Sequence, residues 1–185
     1  SGGGIPAEKP YIEKIHQWSA IIPEEIASIE EFDEDFGINK IEIEVNNEEN
    51  NAKLIVRKYH SKPNNLSEAP GIVYKYLEIN SENLKFLKRL TISTKIEKIW
   101  ASNNNVGIEN ISLYKFNESS DEWRKLETNF TNENEEFYFY KTEVHSLSFF
   151  AISGEAEISE IPIPGEDLVI DKIPEISETN KFLLL

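Results

Sequence analysis

Short runs of β-branched and aromatic residues recur along the chain, and clusters of Asn, Glu, Ser and Gly separate them. In the clearest run, residues 41–45, strict alternation places three aliphatic side chains on one face and the carboxylates of Glu42 and Glu44 on the other. A period of two residues predicts a half-buried antiparallel strand. Eight or nine such strands, separated by turn signals, predict an all-β fold, an antiparallel β-sandwich. The predicted strands are residues 11–22, 41–45, 53–59, 72–79, 90–95, 111–116, 123–130, 137–142 and 148–153.

Three local features refine this prediction. The strands at 41–45 and 53–59 flank a polar loop, which predicts a hairpin with a loop longer than the two-residue ideal. Ile96, Ile99 and Trp100 are spaced as on one helix face, which predicts a single short helix over residues 96–101. Residues 23–36 are consistent with either a second helix, opened by its proline, or an acidic loop.

Composition divides the chain into three predicted parts. Residues 1–10 are rich in Gly and Pro and predict a linker, residues 11–154 form the sandwich, and residues 155–185 form an extended acidic tail. The tail holds eight acidic residues against Lys172 and Lys181, and three prolines interrupt it. It is either a linker or a source of a strand, through 158–163 or 167–173, that adds to a neighbouring molecule or to this domain's own sheet edge.

The charge balance restricts the partners. Asp and Glu outnumber Lys and Arg by 34 to 19, which gives a net charge of -15. Such a surface repels phosphate backbones and anionic lipids, so binding to nucleic acid and electrostatic docking on a membrane are not expected. The absence of Cys excludes a disulfide framework and thiolate chemistry. The absence of Met, together with the glycine-rich start, predicts a piece of a longer or processed protein, and no apolar run is long enough for direct insertion into a bilayer.

An ordered set of segments resembles the PGF-pre-PGF domain of archaeal surface proteins over roughly residues 11–154. The segments are residues 73–79, 98–100 followed by Asn104 and Asn105, 111–116, 123–126 with Thr128, and 149–154, with 18–23 and 41–59 upstream. The resemblance implies a secreted or cell-surface module of methanogen-like archaea that has no established enzymatic role. This chain departs from the family at residues 144–147, where a Pro-Gly-Phe turn is common, and it lacks the family's C-terminal sorting signal.

Four Asn-x-Ser/Thr sequons are candidate N-glycosylation sites, which matter only in an exported protein. Asn65 and Asn117 fall in predicted loops and are the better candidates, whereas Asn110 and Asn129 fall at strand edges.

No catalytic, cofactor-binding or metal site is predicted. The acidic cluster at residues 30–37 faintly resembles a Ca²⁺ loop, but it lacks the further ligands at fixed spacing, so a solvated acidic loop is favoured. The histidines, His16, His60 and His145, lie in separate segments without carboxylates at zinc-like spacing. The chain also lacks a nucleophile elbow and a phosphate-binding glycine loop, so we do not expect an enzyme or a cofactor.

The aromatic residues leave a choice between a sugar-stacking platform and a core. The sequence favours core positions for Trp100 and Trp123 and leaves Trp18 open.

These observations lead to one principal hypothesis and two alternatives. The principal one is a non-catalytic extracellular module with an envelope, adhesion or spacer role, whose partners are neighbouring surface-protein domains, copies of itself or glycans. The alternatives are a filament or lattice subunit that assembles by strand addition of residues 5–15 or 155–173, and a carbohydrate-binding module.

Overall fold

A computed structural model describes residues 9–157. This part contains thirteen strands, one α-helix and one short 3-10 helix at Glu34–Phe36. The strands are β1 (Tyr11–Gln17), β2 (Ala20–Ile21), β3 (Ala27–Ile29), β4 (Ile38–Val45), β5 (Glu49–Asn50), β6 (Lys53–Tyr59), β7 (Ile72–Glu82), β8 (Leu87–Glu97), β9 (Val106–Asn117), β10 (Glu122–Lys125), β11 (Thr128–Glu133), β12 (Phe137–Val144) and β13 (Ser148–Ala156), and the helix is α1 (Lys98–Asn103).

The strands form two antiparallel sheets whose inner faces share one core. The six-stranded sheet has the order β1-β6-β7-β13-β9-β10, and the five-stranded sheet has the order β11-β12-β8-β4-β3. β2 and β5 pair separately as a two-stranded ribbon. The predicted all-β, sandwich-like fold is therefore confirmed.

Alternation along the strands builds the core. In β4 the side chains of Ile41, Ile43 and Val45 are buried while Glu42 and Glu44 point outward, as the period of two residues predicts. Burying one large aliphatic side chain contributes about 1.5–3 kcal/mol relative to leaving it exposed. The largest fully buried side chains are Phe36, Ile38, Ile41, Ile43, Leu54, Leu77, Ile79, Leu90, Ile92, Ile96, Tyr140 and Phe150.

The predicted hairpin of 41–45 with 53–59 is wrong, although both segments are strands. β4 pairs with β3 and β8 in the five-stranded sheet, whereas β6 pairs with β1 and β7 in the six-stranded sheet. The connection between them carries β5, and Asn51 in it adopts a left-handed conformation with φ 53°. The chain therefore crosses from one sheet to the other, and the two buried faces meet across the core instead of lying side by side.

The helix begins two residues later than predicted. β8 runs on to Glu97 and buries Ile96, so α1 starts at Lys98, whose backbone N–H donates to the Glu136 carbonyl at 2.9 Å. Ile99 is consequently 64% exposed, and Ala101 is the buried residue of the helix.

Three other predicted segments are divided differently in the structure. Residues 23–36 contain β3 and the 3-10 helix. Residues 11–22 contain β1 and β2, and residues 123–130 contain parts of β10 and β11, because the chain passes between the sheets at Leu126 and Glu127.

The chain enters and leaves the sandwich at the same end. The pairings run from Tyr11 at the start of β1 through Tyr59 and Tyr76 to Ala151, after which β13 continues for five residues to Ala156. We call this the terminal end. The opposite end, here the distal end, carries the connections 46–52, 83–86, 118–121 and 145–147.

The predicted linker and tail lie almost entirely outside the described residues. Of residues 1–10 only 9 and 10 are described, and of residues 155–185 only 155–157. The two tail segments proposed as added strands, 158–163 and 167–173, are both outside this range.

Candidate functional site

Two of the four sequon asparagines lie in or next to loops, as predicted. Asn65 is exposed in the connection 60–71 between β6 and β7. Asn117 is exposed at the last position of β9, and its side-chain oxygen accepts a hydrogen bond from the Ser119 backbone N–H at 3.0 Å.

The other two sequons differ from each other in exposure. Asn129 is exposed on β11, an edge strand of the five-stranded sheet. Asn110 is half-buried within β9, and the hydroxyl-bearing Ser112 of its sequon is 5% exposed. Among the four, Asn110 thus has the least accessible sequon.

The acidic cluster at 30–37 does not converge on a common point. Its side chains pair with separate lysines: Glu30 with Lys40 at 2.9 Å, Glu31 with Lys14 at 4.0 Å, and Asp35 with Lys58. The hydrogen bond from Lys58 lowers the pKa of Asp35. Within residues 9–157 no group of three or more His, Cys, Asp or Glu side chains could hold a metal ion.

The three histidines occupy unrelated positions. His16 packs on the ring of Trp18 with centroids 4.5 Å apart, and His145 contacts the Lys88 carbonyl through Nδ1 at 2.8 Å. His60 lies at the terminal end, where its backbone N–H donates to the Pro10 carbonyl.

The tryptophans are all half-buried rather than exposed as a platform. Trp18 and Trp100 pack against the main core, and Trp100 also contacts Tyr74 with ring centroids 4.9 Å apart. Trp123 instead packs on the outer face of the six-stranded sheet, in a second cluster built on Tyr76 and Tyr114. The predicted core position thus holds for Trp100, whereas Trp123 packs outside the space between the two sheets.

Residues 60–71, which we call the strap loop, cover this outer cluster. Leu66 and Ala69 of the loop are buried. The indole N–H of Trp123 donates to the Ser67 carbonyl at 3.0 Å, and the Ser67 hydroxyl donates to the Asp121 carbonyl at 3.1 Å. The strap loop is therefore fixed to the sheet through Ser67, next to the buried Leu66, with Asn65 exposed beside it.

A cleft at the distal end brings two cations together. Lys115 on β9 and Arg124 on β10 are direct cross-strand partners, and the cleft beside them has a volume of about 440 Å³. A second cleft of about 380 Å³ shares both residues. Together we call these two lobes the distal cleft. Its lining consists of residues 115–118, 124–127 and 143–148.

The two cations lack carboxylate partners among the described residues. The Lys115 ammonium donates to the Ser146 hydroxyl, and neither Lys115 nor Arg124 makes an ion pair within residues 9–157. Burial lowers the pKa of Lys115, and the positive charge of Arg124 lowers it further. Like charges directly opposite each other destabilise an antiparallel pair, so this arrangement costs stability in the unbound protein.

Sequence reasoning missed this pair, although one signal for it was present. Ile111 and Leu113 are buried at alternating positions of β9, and Lys115 continues the same inward-facing series. A lysine at an apolar position of an alternating strand is thus visible in the sequence. Its partner Arg124 is not, because only the pairing of β9 with β10 brings the two together.

A third cleft, at the terminal end, has a volume of about 380 Å³ and is lined by Asp35, Lys58, His60 and Lys75 among others. Its buried Lys58 is neutralised by Asp35. Burial lowers the pKa of Lys75, whose ammonium lies 4.7 Å from the centre of the Tyr74 ring. Lys58 thus has a carboxylate partner, whereas within residues 9–157 neither Lys115 nor Arg124 of the distal cleft has one.

No family model, curated protein or solved structure matches this chain. No helix within residues 9–157 is long and apolar enough to cross a membrane.

Proposed function

We propose that this chain is a non-catalytic β-sandwich module of an archaeal cell-surface protein, with an adhesion or envelope role carried by its distal end. The observation that carries the proposal is that β1 begins and β13 ends at the same end of the sandwich, the terminal end. A domain attached at one end presents its other end outward. The distal loops and the distal cleft are then the parts that meet partners, which are neighbouring surface-protein domains, copies of this chain or glycans.

The segments that resemble the PGF-pre-PGF domain support this proposal by their arrangement. Four of them fall on β7, β13, β9 and β10, which are consecutive neighbours in the six-stranded sheet. The other segments fall on β2, on α1 and across β4, β5 and β6, so the resemblance extends over both sheets. Outward-pointing carboxylates such as those of Glu42 and Glu44 fit a surface that stays soluble at high protein density.

Surface location is tested on intact cells of the native host. We expect a membrane-impermeant, lysine-reactive biotin reagent to label exposed lysines of this domain, such as Lys85, before the cells are lysed. Mass spectrometry of the tryptic peptides identifies the modified lysines, and an abundant cytoplasmic protein serves as the unlabelled control. Labelling of this domain only after lysis would contradict the proposal.

A lattice subunit is the second candidate, and the edge position of β1 favours it. Within residues 9–157 β1 pairs with β6 on one side only, so its other edge can accept a strand from a second copy. Residues 11–15 of the proposed donor segment 5–15 are already paired within their own chain, so β1 suits an acceptor better than a donor. Light scattering of the purified chain over a range of concentrations distinguishes polymers from monomers.

A further inference from the structure

The distal cleft combines two unpaired cations with groups that bind hydroxyls. Lys115 and Arg124 lie at the boundary shared by both lobes. Asn117, Ser146 and Ser148 add amide and hydroxyl groups to the lining, and Phe116 and Leu147 add apolar surface. Polar groups that fix orientation beside apolar contact surface are typical of small-ligand sites.

The acidic residues around the cleft do not neutralise this pair. Glu143 is bonded to Arg89 at 3.0 Å, and Glu118 and Glu127 form no ion pair within the described residues. Lys125 is engaged by Glu155 at 3.6 Å. The chain has 34 acidic and 19 basic residues, yet no carboxylate within residues 9–157 pairs with these two cross-strand cations. Lys115 and Arg124 are therefore able to bind an anionic ligand.

The charge of the whole chain narrows the class of ligand. A net charge of -15 repels densely charged polyanions such as nucleic acids, whereas one carboxylate on a sugar ring carries a single charge into the cleft. A guanidinium matches a planar carboxylate with two parallel hydrogen bonds, and an ammonium adds a point charge beside it. Two lobes on either side of the cations leave room for sugar rings before and after the charged one.

We propose that the distal cleft binds an acidic oligosaccharide, with Lys115 and Arg124 holding the carboxylate of a uronic acid residue. This proposal extends the proposed adhesion role. It depends on that role only for the place at which the protein meets the ligand, which is the cell surface. Its first test uses purified protein, so failure there leaves surface location untouched.

The test is calorimetric titration of the full chain with a xylo-oligosaccharide that carries one glucuronic acid residue, and with its methyl ester as the neutral probe. We expect the acidic oligomer to bind and the neutral one not to bind. Lys115→Met and Arg124→Gln should each weaken binding at least about tenfold, because each removes a charge-assisted hydrogen bond to the carboxylate. Lys85→Met is the matched control: Lys85 is exposed at the same end but outside the cleft, and its substitution should leave binding unchanged.

Thermal unfolding without ligand separates a binding role from a structural one. Lys115→Met should raise the Tm, because it removes a partly buried charge that faces Arg124. A lysine kept for stability would give the opposite shift. The proposal is overturned if the acidic oligosaccharide does not bind, if the two cleft variants bind as well as the wild type, or if inorganic sulfate binds in the cleft as tightly as the oligosaccharide.

Discussion

At the distal end, one buried carboxylate links two connections that are far apart in the sequence. Glu49 is 5% exposed, and one of its oxygens accepts hydrogen bonds from the backbone N–H groups of Lys85, at 2.6 Å, and Phe86. It thereby joins the connection between β4 and β6 to the connection between β7 and β8. In the sequence Glu49 is one of several acids in a polar loop, and nothing local distinguishes it from Glu48.

Replacing Glu49 should therefore destabilise the protein more than an ordinary surface substitution. In Glu49→Ala the two backbone N–H groups lose their acceptor, and leaving such groups unsatisfied costs about 1–3 kcal/mol. Urea unfolding should show a loss of that size in the free energy of unfolding. Glu48→Ala, at an exposed neighbouring position, should change it by less than about 0.5 kcal/mol. Equal effects of the two substitutions would show that the Glu49 carboxylate does not organise these loops.

At the scale of elements, the sequence predicts strands well and their partners poorly. Alternation is a local property, so the run at 53–59 identifies β6 with its observed bounds. Pairing is non-local, and the face that alternation buries is the same whether β4 lies beside β6 or opposite it across the core. The same reason explains why Lys115 could be noticed in the sequence, whereas its pairing with Arg124 could not.

One side chain, that of Trp123, holds the strap loop against the six-stranded sheet. Trp123 packs 6.0 Å from Tyr76 and 5.1 Å from Phe116, measured between ring centroids, and bonds the Ser67 carbonyl. Trp123→Ala should reduce the free energy of unfolding by about 2 kcal/mol, less than for a fully buried tryptophan. It should also release the loop before the sandwich unfolds.

Limited digestion with a glutamate-specific protease measures that release. Glu68 lies in the strap loop, and the bond after it leads into the buried Ala69, so cleavage there requires the loop to open. We expect cleavage after Glu68 to be faster in Trp123→Ala than in the wild type. Trp18→Ala, which removes a half-buried indole from the main core instead, should not accelerate cleavage at this site. Similar acceleration by both variants would point to global unfolding rather than to release of the loop.

At the scale of the whole molecule, the start of β1 and the end of β13 lie at one end of the sandwich, and this distinguishes an outward-facing module from a load-bearing spacer. When both ends are pulled from one end of a sandwich, β1 is peeled from β6 at the edge, and its hydrogen bonds break one after another. When the pulling points lie at opposite ends, the strands slide past each other and many of these bonds, which run perpendicular to the strands, carry load together. This sandwich should therefore open at low force when it is pulled at the start of β1 and the end of β13.

Single-molecule pulling tests this directly, because a chain without cysteine accepts introduced cysteines as unique attachment points. We expect the pair Lys9→Cys and Glu157→Cys, both at the terminal end, to unfold at a several-fold lower force than the pair Glu48→Cys and Glu157→Cys, which spans the sandwich. In the second pair, β6 is drawn toward the distal end while β13 is drawn toward the terminal end, so the β6–β7–β13 pairings are sheared. Equal unfolding forces for the two pairs, or a higher force for the pair at the terminal end, would favour a spacer that bears tension. A low unfolding force for the pair Lys9→Cys and Glu157→Cys would instead leave the distal end as the part of the molecule that is suited to a role at the surface.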